Sequence, residues 1–299
     1  MPSLQNRLLV LLLRVTRRKR IFSSVVGLLK GIAQTRKAGP ARPSKRMQRC
    51  ISVEHRYVAG IELYRLSPRA ARAEGRHLLY LHGGAYVRPI TSHHWRFLQA
   101  LVEETGCIIN VPLYPLAPEA SCPQAVAAVV EVYQQACVEA AGAPLAVMGD
   151  SAGGGLAVAL CYALRKLSIA PPISLVLICP WLDVTLKHPG IAADEQFDPM
   201  LAVAGCKEAG RLYAGELELD HPYVSPINGE LNGLPATLLF AGTRDIAHHD
   251  ALLFADQARR AGVQLDLQVG AGMLHVWPIL PVPEGKLARE TIVRFLGQL

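Results

Sequence analysis

Leu145-Ala146-Val147-Met148-Gly149-Asp150-Ser151-Ala152-Gly153-Gly154 is the stretch that decides the fold of this chain. It opens with an apolar run of strand length and leads into a Gly- and Ala-rich stretch, 153–166, of helical character. Gly149 and Gly153 flank Ser151 two residues away on either side, the G-x-S-x-G pattern in the strand–turn–helix context it requires. The reason is steric: a turn sharp enough to lift a serine Oγ off a sheet leaves almost no room for side chains at those two positions. The helix N-terminus behind Ser151 favours negative charge developing beside it. A turn serine that merely caps a helix is the plainer reading, and it would stand if nothing else in the chain matched.

Other segments match. The apolar run His77–Leu81 is followed by His82-Gly83-Gly84-Ala85. Paired glycines after a strand let backbone N–H groups face a cavity unobstructed. This is the oxyanion loop of H-G-G-G type, so the amides of Gly83 and Gly84, with that of Ala152, are the expected oxyanion donors. His82 is expected to anchor the loop and not to reach the serine. On this fold the remaining groups follow in the order Ser, acid, His. The run Thr237–Ala241 leads to Gly242-Thr243-Arg244-Asp245, and the run Gln264–Val269 leads to a glycine-flanked loop ending in His275. Both lie beyond the carboxyl ends of strands, where an open parallel sheet puts ligand-binding residues. The expected set is therefore Ser151 as nucleophile, His275 as base and Asp245 as orienting acid. Asp250 competes with Asp245, but it opens a helical stretch and N-capping accounts for it.

Around these points, short apolar runs (77–81, 107–111, 145–148, 173–179, 237–241, 264–269) alternate with helical stretches (92–105, 122–141, 153–166, 249–262, 284–298). That alternation predicts a mostly parallel sheet with helices on both faces. Residues 50–58 and 60–66 read as a hairpin ahead of it. The interval 183–233, rich in Pro and Gly around a helical stretch at 200–214, reads as an insertion between two strands. Trp181 and Asp183, at its start, are expected to wall the site and anchor the insertion. Residues 4–35 read as one or two amphipathic helices and 38–45 as a linker. The expected organisation is an N-terminal helical segment, 1–45, and a catalytic domain, 46–299.

The chain has 299 residues, 51% hydrophobic and 18% charged. Such a chain buries a core without disulfides, which excludes disorder and a disulfide scaffold as whole-chain descriptions. The net charge of +7 hides an asymmetry: residues 1–50 hold 13 of the 31 Lys and Arg and no acid, leaving 18 basic against 24 acidic residues elsewhere. No nucleic-acid-binding module accompanies the basic tract, so no nucleic-acid partner is expected. The seven cysteines form no C-x-x-C pair and read as buried, reduced thiols of a reducing compartment. The histidine pairs His93–His94 and His248–His249 match no zinc spacing and read as surface or cavity-rim residues, so neither metal nor cofactor is expected. Leu8–Leu13 imitates a signal peptide but is too short and is followed at once by basic residues. A cytoplasmic location is expected.

HGGAY (82–86), YPLAPEASCP (114–123), GDSAGG (149–154), PWLDVT (180–185), YVSPI (223–227), GTRD (242–245) and LHVW (274–277) resemble the hormone-sensitive lipase family of α/β-hydrolases over about residues 50–298. The resemblance implies a serine carboxylesterase acting on short acyl esters, with Ser151, Asp245 and His275 as triad and Gly83 and Gly84 as oxyanion glycines. It implies a helical cap built from the N-terminal helices and the 183–233 insertion, and a homodimer as one assembly. A non-catalytic ligand receptor on the same fold is the alternative of another class, and a lactonase or deacetylase would use the same machinery. Residues 1–45 admit two uses, a cap with its apolar face inward or a helix on an anionic membrane, of which the cap is favoured.

Overall fold

A computed structural model gives the structure of residues 2–70 and 75–298. Eight strands form one sheet in the order β1-β2-β4-β3-β5-β6-β7-β8. They are β1 (Ser52–Val58), β2 (Ile61–Ser67), β3 (His77–Leu81), β4 (Ile108–Pro112), β5 (Leu145–Asp150), β6 (Ser174–Ile178), β7 (Ala236–Arg244) and β8 (Leu265–Leu274). β1 and β2 make the antiparallel hairpin, β2 joins β4 antiparallel, and all other pairs are parallel. The central strands are apolar at nearly every position because each is buried on both faces. Leu79, Leu81, Val147, Leu175 and Leu239 face one core; Leu78, Tyr80, Met148, Val176 and Phe240 face the other. This is the period of two expected of a strand. The second core is closed by α4 (Ser92–Thr105) and α10 (Pro283–Gly297), the first by α5 (Cys122–Ala140), α6 (Ala152–Lys166) and α9 (His248–Arg260).

The chain leaves β3 toward β4 and returns to place β5 on the other side of β3. That reversal is a topological switch point, and the loops after β3 and β5 open there into a crevice. Over the crevice lie two segments far apart in sequence. One comprises α1 (Leu4–Val15), a 3₁₀ turn (Arg18–Ile21) and α2 (Val25–Ala38); the other runs through α7 (Gly190–Asp194) and α8 (Val203–Ala214). α3 (Lys45–Cys50) connects the first to the sheet. The two segments meet where the Gly205 amide donates to the Phe22 carbonyl at 2.7 Å. A Cβ at 205 would collide with that carbonyl, so the position needs glycine. The insertion is rooted at its ends: Asp183 Oδ1 accepts from the Thr185 amide (2.8 Å) and hydroxyl (2.6 Å), and the Val184 amide donates to Ser225 Oγ (2.9 Å). Cys50 and Cys137 are exposed, against the expectation of buried thiols throughout; the other five are buried, and all seven are free.

Candidate active site

Ser151 stands on the turn between β5 and α6 with φ +52° and ψ −123°, backbone that an L-residue adopts only under strain. The strain follows from the crowding around it. A Cβ on Gly149 would strike the Gly153 carbonyl, and one on Gly153 would strike the Leu81 carbonyl. The turn lifts Ser151 Oγ to 2.8 Å from His275 Nε2. His275 Nδ1 lies 2.7 Å from Asp245 Oδ2. A carboxylate only accepts, so Nδ1 carries the ring proton and Nε2 is free to accept from the serine. Asp245 follows directly after β7 and His275 directly after β8, and the other Asp245 oxygen accepts the Ala247 amide at 2.9 Å. All three side chains are buried.

Burial by itself lowers the His275 pKa, but the Asp245 charge and hydrogen bond, with the charges of Asp198 and Asp150, outweigh it and hold the imidazole above its ordinary 6.5. Only the neutral ring accepts a proton. The acid limb of kcat/KM against pH should therefore have its midpoint above 6.5, activity falling as pH drops through it. A pH series on a p-nitrophenyl ester reads this directly, and a midpoint well below the ordinary histidine value would contradict the geometry.

The loop after β3 departs from expectation at one donor. The Gly83 amide donates to Asp150 Oδ1 at 2.8 Å. It is therefore spent on holding the loop and is not free for a substrate oxygen. The amides of Gly84, Ala85 and Ala152, by contrast, make no hydrogen bond among the described residues. Asp150 is the hub of this loop, because it also accepts from the Tyr80 hydroxyl at 2.5 Å and lies 3.2 Å from His94 Nε2. Burial would raise its pKa, but the His94 ring and these hydrogen bonds hold it below the usual value. His94 Nδ1 accepts the Thr91 amide at 3.0 Å, so its Nε2–H faces Asp150. His94 is thus a buried tie between α4 and the turn that carries Ser151, and with His93 it borders the cavity, one of the two positions expected of the pair. His82 donates from Nδ1 to the Gly83 carbonyl at 2.8 Å and stacks on Tyr114; burial pulls its pKa down to about 4 and keeps it neutral. His249 lies 2.8 Å from Asp194 Oδ2 and stacks on His188. Among the described residues no group of three or more His, Cys, Asp or Glu is arranged to hold a metal ion.

Asp250 does not cap α9, as was expected. The helix begins at His248 with Ala247 as its cap residue, and Asp250 sits in the first turn with a buried, unpartnered Oδ2. Burial, then the neighbouring charge of Asp183, pushes its pKa up to about 7. It makes no hydrogen bond to His275. The sequence reading missed Asp198. Its Oδ1 accepts the amides of Met200 (2.7 Å) and Leu201 (2.9 Å), and its Oδ2 accepts that of Ile246 (3.1 Å). It thereby ties the insertion to the loop that carries Asp245. Its burial, with the Asp245 charge beside it, lifts its pKa to about 6. The dipeptide Asp198-Pro199 was the available signal, since Asp before Pro initiates turns.

A cavity of about 190 Å³ opens at Ser151 and His275. Its apolar wall includes Trp181, Ile279, Leu186 and Leu201, with Phe22 and Arg18 contributed by the N-terminal segment. Arg18 is exposed and also borders the cavity.

A family profile described as the alpha/beta hydrolase fold matches residues 78–279. An acetyl-hydrolase of Streptomyces hygroscopicus is 34% identical over 235 residues, covering 76% of this chain and 77% of its own. An esterase of Acinetobacter venetianus is 30% identical over 234 residues, covering 77% of each. A crystal structure of an esterase from the bacterial hormone-sensitive lipase family superposes with a TM-score of 0.81 at 30% identity, covering 99% of this chain and 98% of the other.

Proposed function

The chain belongs to the α/β-hydrolase fold family as a carboxylic ester hydrolase resembling the hormone-sensitive lipases, and from that premise we propose that it hydrolyses short-chain acyl esters through Ser151, His275 and Asp245. The observation that carries this reading is the unbroken hydrogen-bond chain from Asp245 through His275 to a serine oxygen at the cavity. Ser151 Oγ attacks the ester carbonyl while His275 Nε2 takes its proton. Asp245 holds the tautomer and stabilises the imidazolium. The oxyanion is received by the free amides of Gly84, Ala85 and Ala152; removing one such donor costs about 2.7–4 kcal/mol of barrier in a hydrolase. His275 then gives its proton to the leaving alcohol. It next takes one from water, which attacks the acyl-enzyme carbonyl, and returns it to Ser151 Oγ as the acyl–Oγ bond breaks, freeing the carboxylic acid and the serine.

The size of the cavity supports a small acyl group. Its roughly 190 Å³ lies below the ~300–1,000 Å³ usual for pockets that take drug-sized ligands. The segments over it, met at Phe22 and Gly205, act as a cap on this reading. A series of p-nitrophenyl esters from acetate to decanoate tests it. We expect kcat/KM to peak among the short chains and to fall steeply once the acyl group outgrows the cavity. A flat profile, or a peak at long chains, would remove the short-chain assignment. Failure of an organophosphate to label Ser151, with no ester turned over, would favour the receptor reading instead.

A further inference from the structure

α1 is turned inside out. Leu4, Leu8, Leu11, Leu12 and Val15 are 55–71% exposed. At 100° per residue they fall within one arc of the helix. The opposite side carries the buried Asn6 and Val10. Polar contacts hold that side to the body: Asn6 Nδ2 donates to the Gly272 carbonyl at 3.4 Å, and Ser3 donates from its amide and its hydroxyl to the Glu284 carboxylate. The expectation that these leucines would face the site is therefore overturned. α2 continues the surface, burying Leu28, Gly31 and Ile32 while Val25, Val26 and Leu29 remain 42–61% exposed. Together the two helices present eight of the 17 large apolar side chains exposed among the described residues. So concentrated an apolar surface marks an interaction face.

Its charge identifies the partner. The face is edged by the exposed Arg14, Arg17, Arg18, Arg20 and Lys30, none of which makes an ion pair among the described residues. No acidic residue precedes Glu54. A second copy meeting the face by a two-fold axis would set cations against cations. A surface offering both acyl chains and anionic headgroups fits both halves of the pattern. We propose that α1 and α2 dock this protein on the anionic surface of a phospholipid bilayer. The helices lie in the plane of the interface with their leucines and valines among the acyl chains and their arginines at the phosphates. They do not cross it: no helix among the described residues is long and apolar enough to span a membrane. Arg18 and Phe22, just past α1, border the cavity, so docking turns its mouth toward the lipid. The docking itself does not depend on the reaction proposed above.

The test is cosedimentation of the full chain with vesicles of phosphatidylcholine alone and of phosphatidylcholine with phosphatidylglycerol. We expect binding to the second and not the first, weakening as salt is raised. The Leu8→Ser/Leu12→Ser and Arg14→Gln/Arg20→Gln variants should each lose about tenfold or more in partitioning. Both should keep wild-type kinetics on a soluble ester, which separates failure of docking from failure of the esterase reading. Because the two variants act through different forces, the arginine pair remains decisive if the leucine pair disturbs folding. Three results would overturn the proposal. They are a wild-type chain that ignores anionic vesicles, variants that bind them as well as wild type, and a dimer split by the leucine substitutions without any vesicle binding.

Discussion

Ser151→Ala should lower kcat on a p-nitrophenyl ester by about 10⁵–10⁶, and His275→Ala by a similar factor, with the double variant no slower than either alone. The expectation follows from how the two groups are coupled. The serine is a weak nucleophile until its proton has somewhere to go, and His275 Nε2, at 2.8 Å, is its acceptor. Removing either leaves the other with no part in the chemistry, so the two losses do not add. What remains, about 10³–10⁴ over water in comparable enzymes, comes from the backbone amides and from holding the ester. The substitution at 151 removes one oxygen and leaves the positive-φ turn occupied by an L-residue, so unfolding midpoints should stay close to wild type. Circular dichroism melts beside the kinetics check this. Turnover by Ser151→Ala within tenfold of wild type would end the nucleophile assignment.

Much of the frame was readable in the sequence because its signals are local. Apolar runs bounded by glycine and helical stretches with 3.6-residue periodicity recur in alternation, and the stretch expected to be helical at 92–105 is the helix Ser92–Thr105. Parallel connectivity then sends the carboxyl ends of β3 to β8 to one edge. Ser151, Asp245 and His275 could be placed together from position alone. What could not be read depends on contacts across the fold. Nothing in His82-Gly83-Gly84 says that the first glycine amide is taken by Asp150, a residue 67 positions away. Asp250 looked like a cap because it stands near the helix start, but with Ala247, three residues earlier, as the cap residue its carboxylate falls in the first turn. The leucines of α1 announced an amphipathic helix, but periodicity fixes only that a face exists and not which way it turns. Phe22 and Leu201 carry no motif, and they border the cavity only because Gly205 lets two distant segments touch.

Asp245→Asn should lower kcat by about 10⁴ with the fold intact, whereas Asp250→Asn should leave kcat within a small factor of wild type. The carboxamide at 245 can offer an N–H to His275 Nδ1, which selects the tautomer with its proton on Nε2. That tautomer faces Ser151 with a hydrogen and cannot accept another. The same change removes the charge that holds the His275 pKa up, so the residual activity should show its acid limb at lower pH than wild type. A merely structural role for Asp245 would lower stability without moving that limb. Asp250 has no contact with the ring, and its effect should appear in stability. Its folded pKa of about 7 lies above the ordinary 3.8, so between these values the folded chain binds more protons than the unfolded one. Stability then falls as pH rises through that window, because an ionised carboxylate must be kept buried. Asparagine removes that cost. The variant should therefore melt higher than wild type on the alkaline side of the window, and the advantage should fade toward its acid end. Loss of kcat in Asp250→Asn with Asp245→Asn unaffected would reverse the assignment of the acid.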